Sequence, residues 1–128
     1  MIGTPISAGY YQTSSLEDVL LHQNASIITR PDGFGNGWCT DLVRFYRGQE
    51  FSGDAKYWYN QAINSDYETG NEPREGAIYI TLGGKYGHVA YVDSVSTSSF
   101  TVIEQNIVAK YVVSERSIQI NNNQLFIY

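Results

Sequence analysis

Asp32-Gly33-Phe34-Gly35-Asn36-Gly37-Trp38-Cys39-Thr40-Asp41-Leu42, residues 32–42, is a glycine-rich loop that delivers the chain's single cysteine to the start of an apolar-periodic run. Counted from Cys39, the residues Leu42, Val43 and Tyr46 fall at i+3, i+4 and i+7, one face of a helix, and Gly48 supplies a stop signal. The spacing therefore predicts that Cys39 opens a helix. Unpaired backbone N–H groups and the positive end of the helix dipole favour an anion there, which for cysteine is the nucleophilic thiolate.

On the N-terminal side of this loop, residues 1–12 mix Gly, Pro, Ser and paired tyrosines and read as an irregular arm. Ser14 and Glu17 fit a capping box for a short helix ending near His22, with Leu16, Val19 and Leu20 on its buried edge. Residues 24–30 read as a brief strand. On the C-terminal side, Asp54 can cap a second helix in which Ala55, Trp58, Tyr59 and Ala62 share a face. Residues 64–76 then turn polar, with Gly70, Pro73 and Gly76 as breakers. Beyond them, β-branched and aromatic runs at 77–82, 87–95, 99–106, 111–114, 117–120 and 124–128, joined by short gaps, predict an antiparallel meander. Helices first and a sheet second give an α+β class, one domain over residues 1–128, with the helices packed on one face of about five to six strands.

At 128 residues the chain can bury roughly two-thirds of its unfolded surface without staples. Acidic residues outnumber basic ones by 13 to 8, the net charge is −5, and no Lys/Arg cluster is present, so nucleic acid is excluded as an expected partner. Residues 1–12 lack a basic segment followed by an apolar one, and the longest apolar stretches are strand-length. Neither a signal peptide nor a membrane span is expected.

One cysteine cannot form an intrachain disulfide, which leaves an inert core thiol, an intermolecular link or a reactive group. A reactive thiol is best served by an imidazole that takes its proton and returns it to the leaving group. Of the two histidines, His22 sits near the end of the first predicted helix, a structural or solvated place for a cation. His88 follows Gly87 and opens a strand. Period-two alternation puts His88, Ala90, Val92 and Ser94 on one face, and Phe100, Val102, Glu104 and Asn106 on one face of the next strand. If residues 96–98 close the hairpin, His88 falls opposite Glu104 or Asn106, and either could hold the ring in its working tautomer. A thiol at a helix start, an imidazole at a strand start and a carboxylate on the adjacent strand are the nucleophile, base and orienter of nucleophilic catalysis.

The same residues carry a resemblance. Gly33-Phe34-Gly35-Asn36-Gly37-Trp38-Cys39-Thr40-Asp41-Leu42-Val43, Gly76-Ala77-Ile78, Gly87-His88-Val89-Ala90-Tyr91-Val92 and Ile103-Glu104-Gln105-Asn106 resemble the successive blocks of a CHAP domain. These are the cysteine, histidine-dependent amidohydrolases/peptidases, relatives of the NlpC/P60 and papain-like enzymes. The resemblance implies a papain-like fold, with Cys39 as nucleophile, His88 as base, Glu104 as its orienter and Asn106 as a nearby polar support. It also implies peptidoglycan as partner and substrate, cut at the amide joining muramic acid to L-alanine or within the stem peptide and cross-bridge. With no leader in view, the resemblance suits a phage lysin or virion-associated type, acting on the cell wall after phage delivery or holin release, or a part excised from a larger secreted protein. A monomer or one domain of a larger lysin or virion protein is expected. Two alternatives stay open: a cysteine peptidase or deamidase acting on proteins, and a catalytically silent wall-binding or tail-structural module.

The chain departs from the family pattern in two places. Trp38 stands where the family often has Gln before the cysteine, so the Cys39 backbone N–H is the expected oxyanion donor and a second donor is left open. Some phage members bind calcium through aspartates flanking the cysteine; here Asp32 and Asp41 remain, and Arg30 replaces a further acidic ligand. Two carboxylates are few for a cation that takes about six to eight oxygens, so no cofactor is expected and calcium is a minor alternative. Trp38 and Tyr86, beside the nucleophile and the base in sequence, are the expected substrate-binding aromatics.

Overall fold

The computed structural model describes residues 26–28 and 33–128. The predicted arm and the Ser14 to His22 helix lie outside the described residues, as does Asp32. Helix α1 (Cys39–Arg47) begins at the cysteine and ends at Gly48, whose φ of 90° lets its N–H close onto the Arg44 carbonyl at 2.7 Å. Leu42 and Val43 are buried as the periodicity requires. Tyr46 is half exposed instead, and its ring stacks on Tyr91 at 4.6 Å between centroids. A 3₁₀ turn (Ala55–Tyr57) leads directly into α2 (Trp58–Asn64), so Asp54 precedes the 3₁₀ turn, without a side-chain capping bond, and is not the cap of an α-helix. Ala55, Trp58 and Ala62 form the buried face of this segment.

Among the described residues, seven antiparallel strands follow the order β1-β6-β5-β4-β3-β7-β2, with β1 (Ser26–Ile28), β2 (Thr69–Gly70), β3 (Ile78–Thr81), β4 (His88–Val95), β5 (Ser99–Gln105), β6 (Val113–Gln119) and β7 (Leu125–Ile127). The central β3-β4-β5-β6 run is the expected meander. Two expectations fail. The short β2 forms inside the polar connection, because β7 crosses to pair with β3 and leaves its outer edge open to Thr69 and Gly70. Residues 111–114 and 117–120 are not two strands: the charged pair Glu115 and Arg116 continues the ladder to β5, with Glu115 opposite Ile103 and Arg116 opposite Val102.

The helices pack on one face of the sheet. Leu42, Val43, Trp58 and Ala62 meet Ile78, Ile80, Val89, Val113 and Ile127 there. The alternate residues Tyr79, Ala90, Val92, Phe100, Val102, Ile118 and Phe126 make a second cluster on the other face. Arg47 ties α1 to the sheet by donating to the Gly76 and Ile127 carbonyls at 3.0 and 3.2 Å while pairing with Glu50.

A β-bulge in the central hairpin decides which face Glu104 takes. Val95 pairs with Phe100 and Ser94 with Thr101, but Val92 pairs with Val102, so Asp93 is an extra residue. A straight ladder from the turn would set Tyr91 level with Glu104 and turn the carboxylate away from His88. With the bulge, Tyr91 pairs with Ile103, so the next residue of β5, Glu104, falls on the face that carries Ala90 and His88. Ser94 consequently leaves the face of His88 and its hydroxyl bonds that of Thr101.

Candidate active site

Two neighbouring residues of β5 hold the two halves of the site. Gln105 points toward the glycine-rich loop: its side-chain oxygen accepts from the Phe34 N–H at 2.7 Å, and its amide donates to the Phe34 and Trp38 carbonyls at 3.1 and 2.8 Å. Gly33 is required at this clamp. Its φ is +60°, and a Cβ there would lie 2.5 Å from both the Gln105 Oε1 and the Tyr111 carbonyl. Asp41 fastens the other side of the loop, accepting from the Asn36 and Trp38 N–H groups at 2.9 and 3.2 Å. The outcome is a half-buried Cys39 at the first position of α1, where its backbone N–H has no partner within the helix.

Glu104 points to the opposite side of β5 and is fully buried. His88 Nε2 donates to its Oε1 at 2.9 Å. From β6, Arg116 donates through Nε to Oε2 at 2.6 Å and through Nη2 to Oε1 at 3.1 Å, a bidentate fork with only 3% of the arginine side chain exposed. His88 itself is fixed from behind. Gly87, with φ +71°, lies so close to the 3₁₀ turn that a Cβ would come within 2.8 Å of the Lys56 nitrogen, and Lys56 N–H bonds the Tyr86 carbonyl at 2.9 Å.

With Nε2 committed to Glu104, Nδ1 is the nitrogen left for the thiol. Burial pulls the His88 pKa down, but the Cys39 charge and hydrogen bond, followed by those of Glu104, outweigh it and raise the imidazole to about 9. For Glu104, burial pushes upward, and the charge of Arg116 with the hydrogen bond and charge of His88 bring it down to about 2. The carboxylate is thus ionised and the imidazole protonated across neutral pH. An imidazolium beside a sulfur at a helix N-terminus is the setting in which a thiol acts as a nucleophile.

Asn106 is not the residue opposite His88 in a continuing strand. It follows the last residue of β5 with φ 67°, its N–H bonds the Val112 carbonyl at 3.3 Å, and its buried Oδ1 has no hydrogen-bond partner among the described residues. Trp38 and Tyr86 are 43% and 46% exposed, and the Lys110 ammonium lies 4.2 Å from the Trp38 ring centroid. One oxygen of Asp41 accepts from two backbone N–H groups, and the other faces Arg44 at 3.7 Å.

Gln105 and Arg116 were not among the expected site residues. The signal for Arg116 was the alternation Ser114, Arg116, Ile118, which puts a lone cation on a buried face beside Glu104. Gln105 had no signal beyond its place one residue after the carboxylate.

The CHAP domain family matches residues 31–106. The chain is 36% identical over 88 residues to the probable autolysin SsaALP of Staphylococcus aureus (strain NCTC 8325 / PS 47), covering 64% of this chain and 33% of that protein. It is 45% identical over 93 residues to the staphylococcal secretory antigen SsaA of the same strain, covering 69% of this chain and 36% of that one. The crystal structure of an N-acetylmuramoyl-L-alanine amidase from Staphylococcus aureus aligns with a TM-score of 0.64 at 28% identity, over 71% of this chain and 30% of that one. The chain spans about a third of the length of the curated relatives it matches. With the family match enclosing the thiol, the imidazole and the buried carboxylate, this chain belongs to the CHAP domain family.

Proposed function

We propose that this chain is the catalytic domain of a peptidoglycan hydrolase, cleaving an amide bond of the wall peptide through a Cys39 thioester. The observation that carries the reading is the ordered contact of Cys39 at a helix start, His88 at a strand start and a buried Glu104 bonded to that histidine at 2.9 Å. The names of its relatives, an autolysin and an N-acetylmuramoyl-L-alanine amidase, supply the substrate class.

The Cys39 thiolate attacks the carbonyl carbon, and the Cys39 backbone N–H stabilises the resulting oxyanion. As the C–N bond breaks, the His88 imidazolium gives its proton to the departing amine. A water then attacks the thioester; the now neutral His88 takes its proton, the carboxylic product leaves and the thiolate is restored beside the imidazolium. Glu104 keeps the ring aligned through both steps, Asn106 lends polar support near the ring, and Trp38 and Tyr86 flank the bound peptide. Residues 1–128 act as one domain, as a monomer or within a larger wall hydrolase. Delivery by a phage lysin or virion and release from a larger bacterial protein use the same chemistry at the wall.

Purified sacculi test the proposal. Wild-type protein should release peptide-bearing fragments and Cys39→Ala none, and mass analysis of the new ends separates amidase from endopeptidase. Digestion by the alanine variant would remove Cys39 as nucleophile. Cleavage of casein by the wild type, with sacculi left intact, would move the substrate class to proteins.

A further inference from the structure

The site does not stop at the orienting carboxylate. Sulfur, imidazole, carboxylate and guanidinium form a line of alternating groups running from the α1 start through β4 and β5 to β6. Its last member belongs to a residue with 3% side-chain exposure, and its two donors occupy both oxygens of Glu104. The neighbours of Glu104 on the flanking strands account for its setting: His88 is the titratable group facing it from β4, Arg116 is the charged group facing it from β6, and Ser114, its partner in the β6 ladder, is uncharged.

We propose that Arg116 is a positioning residue for catalysis, holding Glu104 ionised and fixed in plane so that the carboxylate can aim His88 at Cys39. This rests on the nucleophilic reading of Cys39 and His88 given above. A carboxylate removed from water tends to take up a proton unless a cation compensates. His88 alone is a weak guarantor, because its own charge is exchanged during each turnover while the arginine stays charged throughout. The fork also fixes the carboxylate plane. With Nε on Oε2 and Nη2 on Oε1, Oε1 is presented to the imidazole in one orientation. Lysine would keep the charge and lose the fork, since its ammonium is a point charge on a flexible stem.

The decisive comparison uses Arg116→Lys and Arg116→Gln, with folding checked by circular dichroism and thermal melting. Two readouts are taken: the iodoacetamide alkylation rate of Cys39 against pH, which needs no wall substrate, and turnover on purified sacculi. Arg116→Lys should remain folded and lose about 10-fold or more in kcat with KM unchanged, the size typical when an outer partner of a functional histidine is removed. Arg116→Gln should move the acid limb of the alkylation profile upward by about one pH unit or more, as the buried Glu104 becomes easier to protonate. The proposal is overturned if a folded Arg116→Lys shows the wild-type kcat and alkylation profile, and this holds whether or not Arg116→Gln folds. If wild-type protein leaves sacculi intact, the wall-hydrolase reading fails, while the alkylation profiles still decide the role of Arg116.

Discussion

Cys39 and His88 are held by different physics. On the Cys39 side the holding groups are mainly neutral, a buried glutamine amide gripping loop backbone and glycines in conformations that other residues rarely adopt, with the Asp41 carboxylate as the one charged member. On the His88 side they are charged: a buried carboxylate between an imidazole and a guanidinium. Neutral clamps keep the same strength at every pH, whereas a buried charge pair ties the site's geometry to its protonation. Cys39 is thus fixed mainly by shape and His88 by charge.

The largest expected effect comes from breaking the charged half. Glu104→Gln should lower kcat by about 10³-fold or more, because the imidazole loses the partner that sets its tautomer and stabilises its charge. The same change strands Arg116 in the interior and should cost about 3–5 kcal/mol of stability, read from denaturant unfolding. The corresponding change in the neutral half, Gln105→Leu, releases three hydrogen bonds to the loop and should cost about 1–3 kcal/mol. Activity should fall with it as the thiol loses its position, but the shape of the pH–rate profile should stay that of the wild type. A profile displaced by Gln105→Leu would show that the two halves are coupled and erase the distinction.

Titration sharpens the comparison further. Glu104 is lowered to about 2 from 4.5, so its contribution to stability is complete above pH 4.5 and is lost as pH falls toward 2. His88 is raised from 6.5 to about 9, so its contribution is complete below pH 6.5 and is lost as pH rises toward 9. Thermal melts should therefore fall off on both sides of a plateau between about pH 4.5 and 6.5. Glu104→Gln should flatten the acid side, and Gln105→Leu should lower the whole curve without changing its shape. The chain has 2 histidines, so NMR can follow the His88 ring directly, with a midpoint near 9 as the expected result.

Smaller effects belong to the loop and its surface. Gly33→Ala puts a methyl against the Gln105 oxygen and the Tyr111 carbonyl at a positive φ, and should destabilise by about 1–3 kcal/mol in a denaturant melt. Trp38→Phe keeps a ring beside Cys39 and beneath Lys110 while removing the indole N–H. It should leave stability within about 0.5 kcal/mol. A kcat loss of about 100-fold would identify the indole as an oxyanion donor, and a change confined to KM would leave Trp38 as a surface for the substrate.

Sequence by itself determined the parts whose signals are local. The cysteine at a helix start follows from apolar spacing after a glycine-rich loop, the α+β order from helical periods giving way to strand alternation, and Cys39 and His88 as candidates from the chemistry a thiol nucleophile needs, with Glu104 or Asn106 open as the histidine's partner until the family resemblance favours Glu104. Only the tertiary structure decided how these parts meet. The Asp93 bulge shifts the β4 register by one residue, and in a ladder of period two that shift selects the face; alternation alone could not reveal it. Glu115 and Arg116 look like a break between strands until pairing with β5 buries the guanidinium against Glu104. Gln105 reads as a polar strand residue until a loop 71 positions earlier folds onto it. Local pattern records what each segment prefers, while long-range pairing sets which buried charges and amides become partners.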